Sequence, residues 1–123
     1  MKQIIIVLFY LAFHLSSFSQ LLNSTFKTSN GRVGLKDPNG KVILPAKFDG
    51  CFSAFSEGLI GVRIGNKWGF ADSTGAIKIT CIFDEVDYFN NGITRVLLGN
   101  FWGVIDNVGD FVLPAKYGHV GCW

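Results

Sequence analysis

Charge is scarce in this chain. Its 11 Lys and Arg stand against 9 Asp and Glu, a net charge of +2 spread over 123 residues with no basic cluster. Too few cations are grouped to neutralise a run of phosphates, which excludes nucleic acid as a partner class. Histidine occurs only as His14 and His119. His119 lies three residues from Cys122 in a C-terminal tail, where a Cys–His pair would lack the orienting third group that nucleophilic catalysis needs. The sequence is therefore expected not to encode an enzyme. The spacing of the 3 cysteines, Cys51, Cys81 and Cys122, fits no zinc pattern. They read as small hydrophobes, the odd number leaving open one disulfide plus a free thiol, or a bridge between chains, in an oxidising compartment. No glycine loop cradles a phosphate, and no loop gathers the several carboxylates of a calcium site. No cofactor and no metal are expected. Long runs of helical periodicity are also missing.

Only one long apolar run is present, Ile4 to Phe13, preceded by Lys2. It is well short of the ~20 residues that span a bilayer. Ser17-Phe18-Ser19 follows with small residues at the −3 and −1 positions of a signal-peptidase site. Residues 1–19 thus read as a signal peptide cut after Ser19, and no Cys follows to carry a lipid. The mature chain, 20–123, is expected to be secreted, periplasmic or on the cell surface. Loss of Lys2 leaves it nearly neutral.

What the chain has instead is glycine, 15 residues of it, and a repeat. Gly65-Asn66-Lys67-Trp68-Gly69-Phe70-Ala71-Asp72-Ser73-Thr74-Gly75 recurs as Gly99-Asn100-Phe101-Trp102-Gly103-Val104-Ile105-Asp106-Asn107-Val108-Gly109. A worn copy runs from Gly31 to Gly40. From Asp37 to Asp72 to Asp106 the period is 35 and then 34 residues, the signature of a repeat architecture.

Each copy alternates like a strand, with Trp68 and Phe70, or Trp102 and Val104, on one face. Each then reaches an Asp-x-x-Gly element: Asp37 with Gly40, Asp72 with Gly75, Asp106 with Gly109. This is type I turn chemistry, Asp at the first position and Gly at the fourth, leading into a bulged hairpin. Second strands are predicted over residues 41–44, 76–79 and 110–113. Pro45 and Pro114 are expected to end two of them, since proline cannot continue a ladder. Connectors over 49–57 and 84–91 lead to third strands at 59–64 and 93–98. Gly65-Asn66 and Gly99-Asn100 read as two-residue hairpin turns with glycine first. Residues 21–30 read as a leader or a short first strand.

The Trp-Gly pair, the Asp-x-x-Gly turn, Leu-Pro-Ala-Lys-Phe/Tyr (Leu44 to Phe48, Leu113 to Tyr117) and Phe55-Ser56-Glu57-Gly58-Leu59 together resemble the bacterial WG-repeat family. The resemblance runs from Gly31 to about Tyr117. It implies an all-β repeat fold in an exported or other bacterial protein and no common activity. Val33 replaces the Trp of the first copy, and the third copy stops at Trp123. The units fall at about 31–64, 65–98 and 99–123, the last incomplete.

The fold expected is all-β: tandem antiparallel hairpins and meanders in an open twisted array, with a small barrel or partial propeller as the alternative. Trp68 and Trp102 are expected in the core, with Gly69 and Gly103 giving room for close packing. The Asp residues are expected to cap turns. Binding to another protein at the cell envelope is the expected role, with variable connectors carrying exposed residues such as Tyr88 and Phe89. A glycan partner, a structural role, or a remnant of a longer array are the alternatives. The strand at Asp110 to Leu113 is expected to be an unpaired edge, making self-association through it or through Cys122 an expectation.

Overall fold

The computed structural model describes residues 22–117, so the signal-peptide reading and the expectations on His119 and Cys122 fall outside the described residues. The described chain is built of eleven strands: β1 (Ser24–Lys27), β2 (Val33–Lys36), β3 (Val42–Phe48), β4 (Gly50–Cys51), β5 (Ile60–Ile64), β6 (Lys67–Ala71), β7 (Ile77–Phe83), β8 (Glu85–Val86), β9 (Ile93–Leu98), β10 (Phe101–Asp106) and β11 (Phe111–Tyr117). They form three antiparallel sheets, ordered β1-β2-β3, β4-β5-β6-β7 and β8-β9-β10-β11. No sheet closes into a barrel. The arrangement is an all-β array of repeated meanders.

The turns follow from local chemistry. Asp37 Oδ1 accepts the Asn39 and Lys41 amides, both at 2.9 Å. Asp72 Oδ1 accepts those of Thr74 and Ala76 at 2.9 and 3.2 Å. Asp106 Oδ1 accepts those of Val108 and Asp110 at 3.0 and 2.9 Å. Gly40, Gly75 and Gly109 follow with φ of 85, 86 and 94°, a region open to glycine at little cost. The opposite hairpin ends, at Gly65-Asn66 and Gly99-Asn100, join Ile64 to Lys67 and Leu98 to Phe101 with no intervening residue beyond the turn pair.

Pro45 and Pro114 do not end their strands. β3 and β11 run through them to Phe48 and Tyr117, as β7 runs through Thr80 to Phe83. The reason lies in the pairing. Leu35 faces Leu44 but Val33 faces Phe48, and the same displacement separates Phe70–Ile79 from Trp68–Phe83 and Val104–Leu113 from Trp102–Tyr117. Each outer strand therefore bulges over its partner, and a residue in a bulge need not donate to the ladder. Beneath each bulge sits the glycine of the repeat. A Cβ on Gly34 would lie 2.5 Å from Leu44 O, and one on Gly103 would lie 2.9 Å from both Leu113 O and Ala115 N. A Cβ on Gly69 would overlap Ile79 O outright and come within 2.8 Å of Cys81 N.

The connectors are not plain loops. β4 and β8 lie within them and pair with β5 and β9, so the residues after each long strand already belong to the next sheet. Two cores form between the three sheets. Leu35, Leu44 and Phe48 meet Ile60, Val62 and Ala71. Phe70, Ile79 and Phe83 meet Phe89, Val96 and Ile105. The middle sheet is thus buried on both faces, which is why Gly69, Phe70 and Ala71 are all buried in succession. Phe89, expected to be exposed, is 3% exposed and packs edge-on against Phe70 with ring centroids 4.7 Å apart.

The first sheet differs on its free face. Where the second has Ile60, Val62 and Ala71, the strand register gives the first Ser24, Phe26 and Lys36. The Lys36 ammonium lies 4.8 Å over the Phe26 ring. Among the described residues this face is less apolar than its counterpart on the middle sheet. β11 is an edge strand as expected, but β3 and β7 are edges of their sheets too. All three carry the bulges, a feature that blunts edge-to-edge pairing.

Candidate functional site

Trp68 and Trp102 occupy equivalent positions on β6 and β10, opposite Phe83 and Tyr117 in the strand register. Neither joins the two cores. Both are half-buried and line an open cleft of about 450 Å³, together with Phe52, Glu85, Val86, Asp87 and Arg95. Strand alternation places a tryptophan on a face, but it does not say whether the adjoining sheet covers that part of the face. At the hairpin end the neighbouring sheet leaves the rings half open.

The cleft is built from equivalent places in two successive repeats. Next to Trp68, the Phe52 ring stands 5.2 Å away at 41°. It lies so close over Gly61 that a Cβ there would sit 2.7 Å from it. Phe52 also touches Tyr88, centroid to centroid 4.6 Å. One repeat later Phe52 is replaced by Asp87 and Gly61 by Arg95. Arg95 Nε and Nη2 donate to Asp87 Oδ2 at 3.2 and 3.1 Å, and the guanidinium carbon lies 5.5 Å from the Trp102 ring centroid. An aromatic pair in one repeat becomes an ion pair stacked on tryptophan in the next.

The turn residues stand apart from this cleft, each serving its own hairpin. Asp72 and Gly75 close the β6–β7 hairpin, whose turn glycine rests against Pro45 of the first sheet. Asp37 with Gly40 and Asp106 with Gly109 do the same for β2–β3 and β10–β11. Gly69 and Gly103 lie under the bulges. Among the described residues no group of three His, Cys, Asp or Glu side chains could hold a metal ion. Cys51 and Cys81 are unbridged and half-buried, and desolvation pushes both thiols up.

A second repeated aspartate escaped sequence reasoning. Asp49 Oδ2 accepts the Gly65 amide at 2.7 Å while its Oδ1 meets Arg32 at 2.9 Å. Asp84 Oδ2 accepts the Gly99 amide at 2.8 Å, and its Oδ1 is held by Lys67. Each clips the hairpin turn of its own sheet to a cation of the preceding repeat, Arg32 just before β2 and Lys67 at the start of β6. The signal was present, since Phe48-Asp49 and Phe83-Asp84 recur in phase.

Two carboxyls are held below their usual range. Asp84 is lowered by the Lys67 hydrogen bond first and by the Gly99 amide next, and Asp72 by the Thr74 hydroxyl first. Unfolded, both titrate near the ordinary value of about 3.9. The unfolded chain therefore binds more protons in the window from there down to the lower folded values, and stability is lost as the pH falls through it. Melting temperature is expected to be flat from pH 7 to 5 and to drop below pH 4. Asp84→Asn should shallow that drop while lowering the neutral-pH value, which calorimetry across the pH series would read.

Comparison with curated proteins and with solved structures finds no match. A family model described as WG containing repeat matches three consecutive stretches, residues 34–68, 68–100 and 102–123. These stretches carry the glycines under the bulges, the Asp-x-x-Gly turns and both tryptophans of the cleft, and they cover most of the sequence: the chain belongs to the WG-repeat family.

Proposed function

We propose that this chain is an exported, non-enzymatic binding module that contacts another protein at the cell envelope through the cleft between Trp68 and Trp102. The observation that carries the reading is the cleft itself, where Phe52, Trp68 and Trp102 remain half open and Tyr88, 43% exposed, touches the Phe52 ring. Aromatic side chains in partly desolvated pockets are the usual anchors of protein interfaces. They are held here by sheets and are already ordered, so little entropy remains to be lost on binding. Export is supported by Lys2, the apolar run Ile4 to Phe13 and Ser17-Phe18-Ser19.

A photo-crosslinking side chain in place of Tyr88 is expected to give one discrete protein adduct in the cell envelope fraction. The same group in place of Val42, exposed on β3, should give none. The mass of the exported chain should begin at Gln20. Adducts of equal yield from both positions, or a chain retained with its first 19 residues in the cytoplasm, would end this reading. A glycan partner is the second reading, favoured by the half-open rings of Phe52, Trp68 and Trp102 in the cleft. It predicts retention on cell-wall polysaccharide that weakens in Tyr88→Ala.

A further inference from the structure

We infer that the cleft selects a cationic side chain, a Lys or Arg presented by a peptide segment of its partner; this rests on the cleft being the binding surface. The cleft already holds one such guest. Arg95 lies over the Trp102 ring and is paired with Asp87, so the protein's own fold shows that this wall accepts a guanidinium. Ring faces carry negative quadrupole density and attract cations most strongly where water is partly excluded.

The charge balance of the lining points the same way. Glu85 and Asp87 contribute two carboxylates and Arg95 one cation, so the cleft keeps a negative excess. Glu85 makes no ion pair or side-chain hydrogen bond among the described residues, although every other acidic side chain from Asp49 to Asp87 does. Its carboxylate stands exposed at the mouth, on the short edge strand β8, beside the aromatic wall. A lone anion next to aromatic rings complements a cation, whereas a neutral sugar would leave that charge unanswered. Stacking room is also limited, since Phe52 already leans on Trp68 and Arg95 on Trp102. A narrow ammonium or guanidinium stem fits such a gap better than a pyranose ring.

The full chain would be titrated with a blocked Gly-Ser-Lys-Ser-Gly peptide, its Gln counterpart, and a neutral chitin or cellulose oligosaccharide. Tryptophan fluorescence and amide shifts around Trp68 and Trp102 give the readout. The Lys peptide is expected to bind and the Gln peptide to bind at least about tenfold more weakly, with affinity falling as salt screens the exposed charge. Glu85→Gln should weaken the Lys peptide by about two- to fivefold. Arg95→Gln should strengthen it, because the competing cation leaves Trp102 and Asp87 to the guest. General damage to the cleft would move both variants the same way, so weakening in both overturns the inference. Equal binding of the Lys and Gln peptides, or binding of the oligosaccharide alone, overturns it too while leaving the cleft as a binding surface. If none of the three probes perturbs the tryptophans, the inference is overturned and the cleft as recognition surface falls with it.

Discussion

Gly69→Ala is expected to unfold or severely destabilise the protein, although it adds one methyl group to a strand. The new Cβ would overlap the carbonyl oxygen of Ile79 and stand 2.8 Å from the Cys81 nitrogen. Those are backbone atoms of the β7 bulge, and they cannot swing aside as a side-chain tip could. Opening the bulge would shift Ile79 and Phe83, both of the core between the second and third sheets. Overpacking a well-filled site costs about 1–3 kcal/mol and sometimes more, and here core contacts are lost as well. Against a whole-domain stability of roughly 5–15 kcal/mol, a loss of about 3 kcal/mol or more is a large fraction. The three equivalent glycines should rank by clearance. Gly69→Ala is the worst, Gly34→Ala at 2.5 Å next, and Gly103→Ala at 2.9 Å the mildest. Urea unfolding of the three variants checks the order, and a flat series would show that the bulge yields.

Phe70→Ala should cost about 3–5 kcal/mol from the cavity and lost transfer energy alone. The edge-on contact with Phe89 adds about 0.5–1.5 kcal/mol. The consequence is expected to be uneven. Phe70 and Phe89 join the second and third sheets, while Leu35, Leu44 and Val62 join the first and second. In a linear array each interface contributes its own share of stability. Hydrogen exchange should therefore show β9 and β10 amides losing protection more than β2 and β3 amides. Leu44→Ala, in the other core, should give the reverse pattern. Uniform loss in both variants would mean that the three sheets fold as one indivisible unit.

These expectations also mark where the sequence could be read and where it could not. Asp-x-x-Gly announces its turn because the hydrogen bonds its aspartate makes reach only two to four residues along the chain. The repeat period and the strand faces were equally plain, since both are periodic. Pro45 and Pro114 misled because a bulge is a relation between two strands, fixed by where Val33 and Phe48 meet rather than by anything beside the proline. β4 and β8, two residues each, are too short to carry a pattern. Phe89 looked like an exposed connector residue, and only the stacking of sheets brings Phe70 against it. For Trp68 and Trp102 the face was legible. Their half-exposure was not, because it depends on how far the neighbouring sheet extends over the hairpin end.

Ser24 and Lys36 on the outer face of the first sheet have a bearing on how such a chain can lengthen. A segment copied from the middle unit would arrive with Ile60, Val62 and Ala71 on one side and Phe70, Ile79 and Phe83 on the other, surfaces that already fit each other's kind. A copy of the opening unit would carry Ser24 and Lys36 into an interior. A copy of the middle unit is therefore expected to cost the array less stability than a copy of the first unit, because its neighbours stay chemically the same.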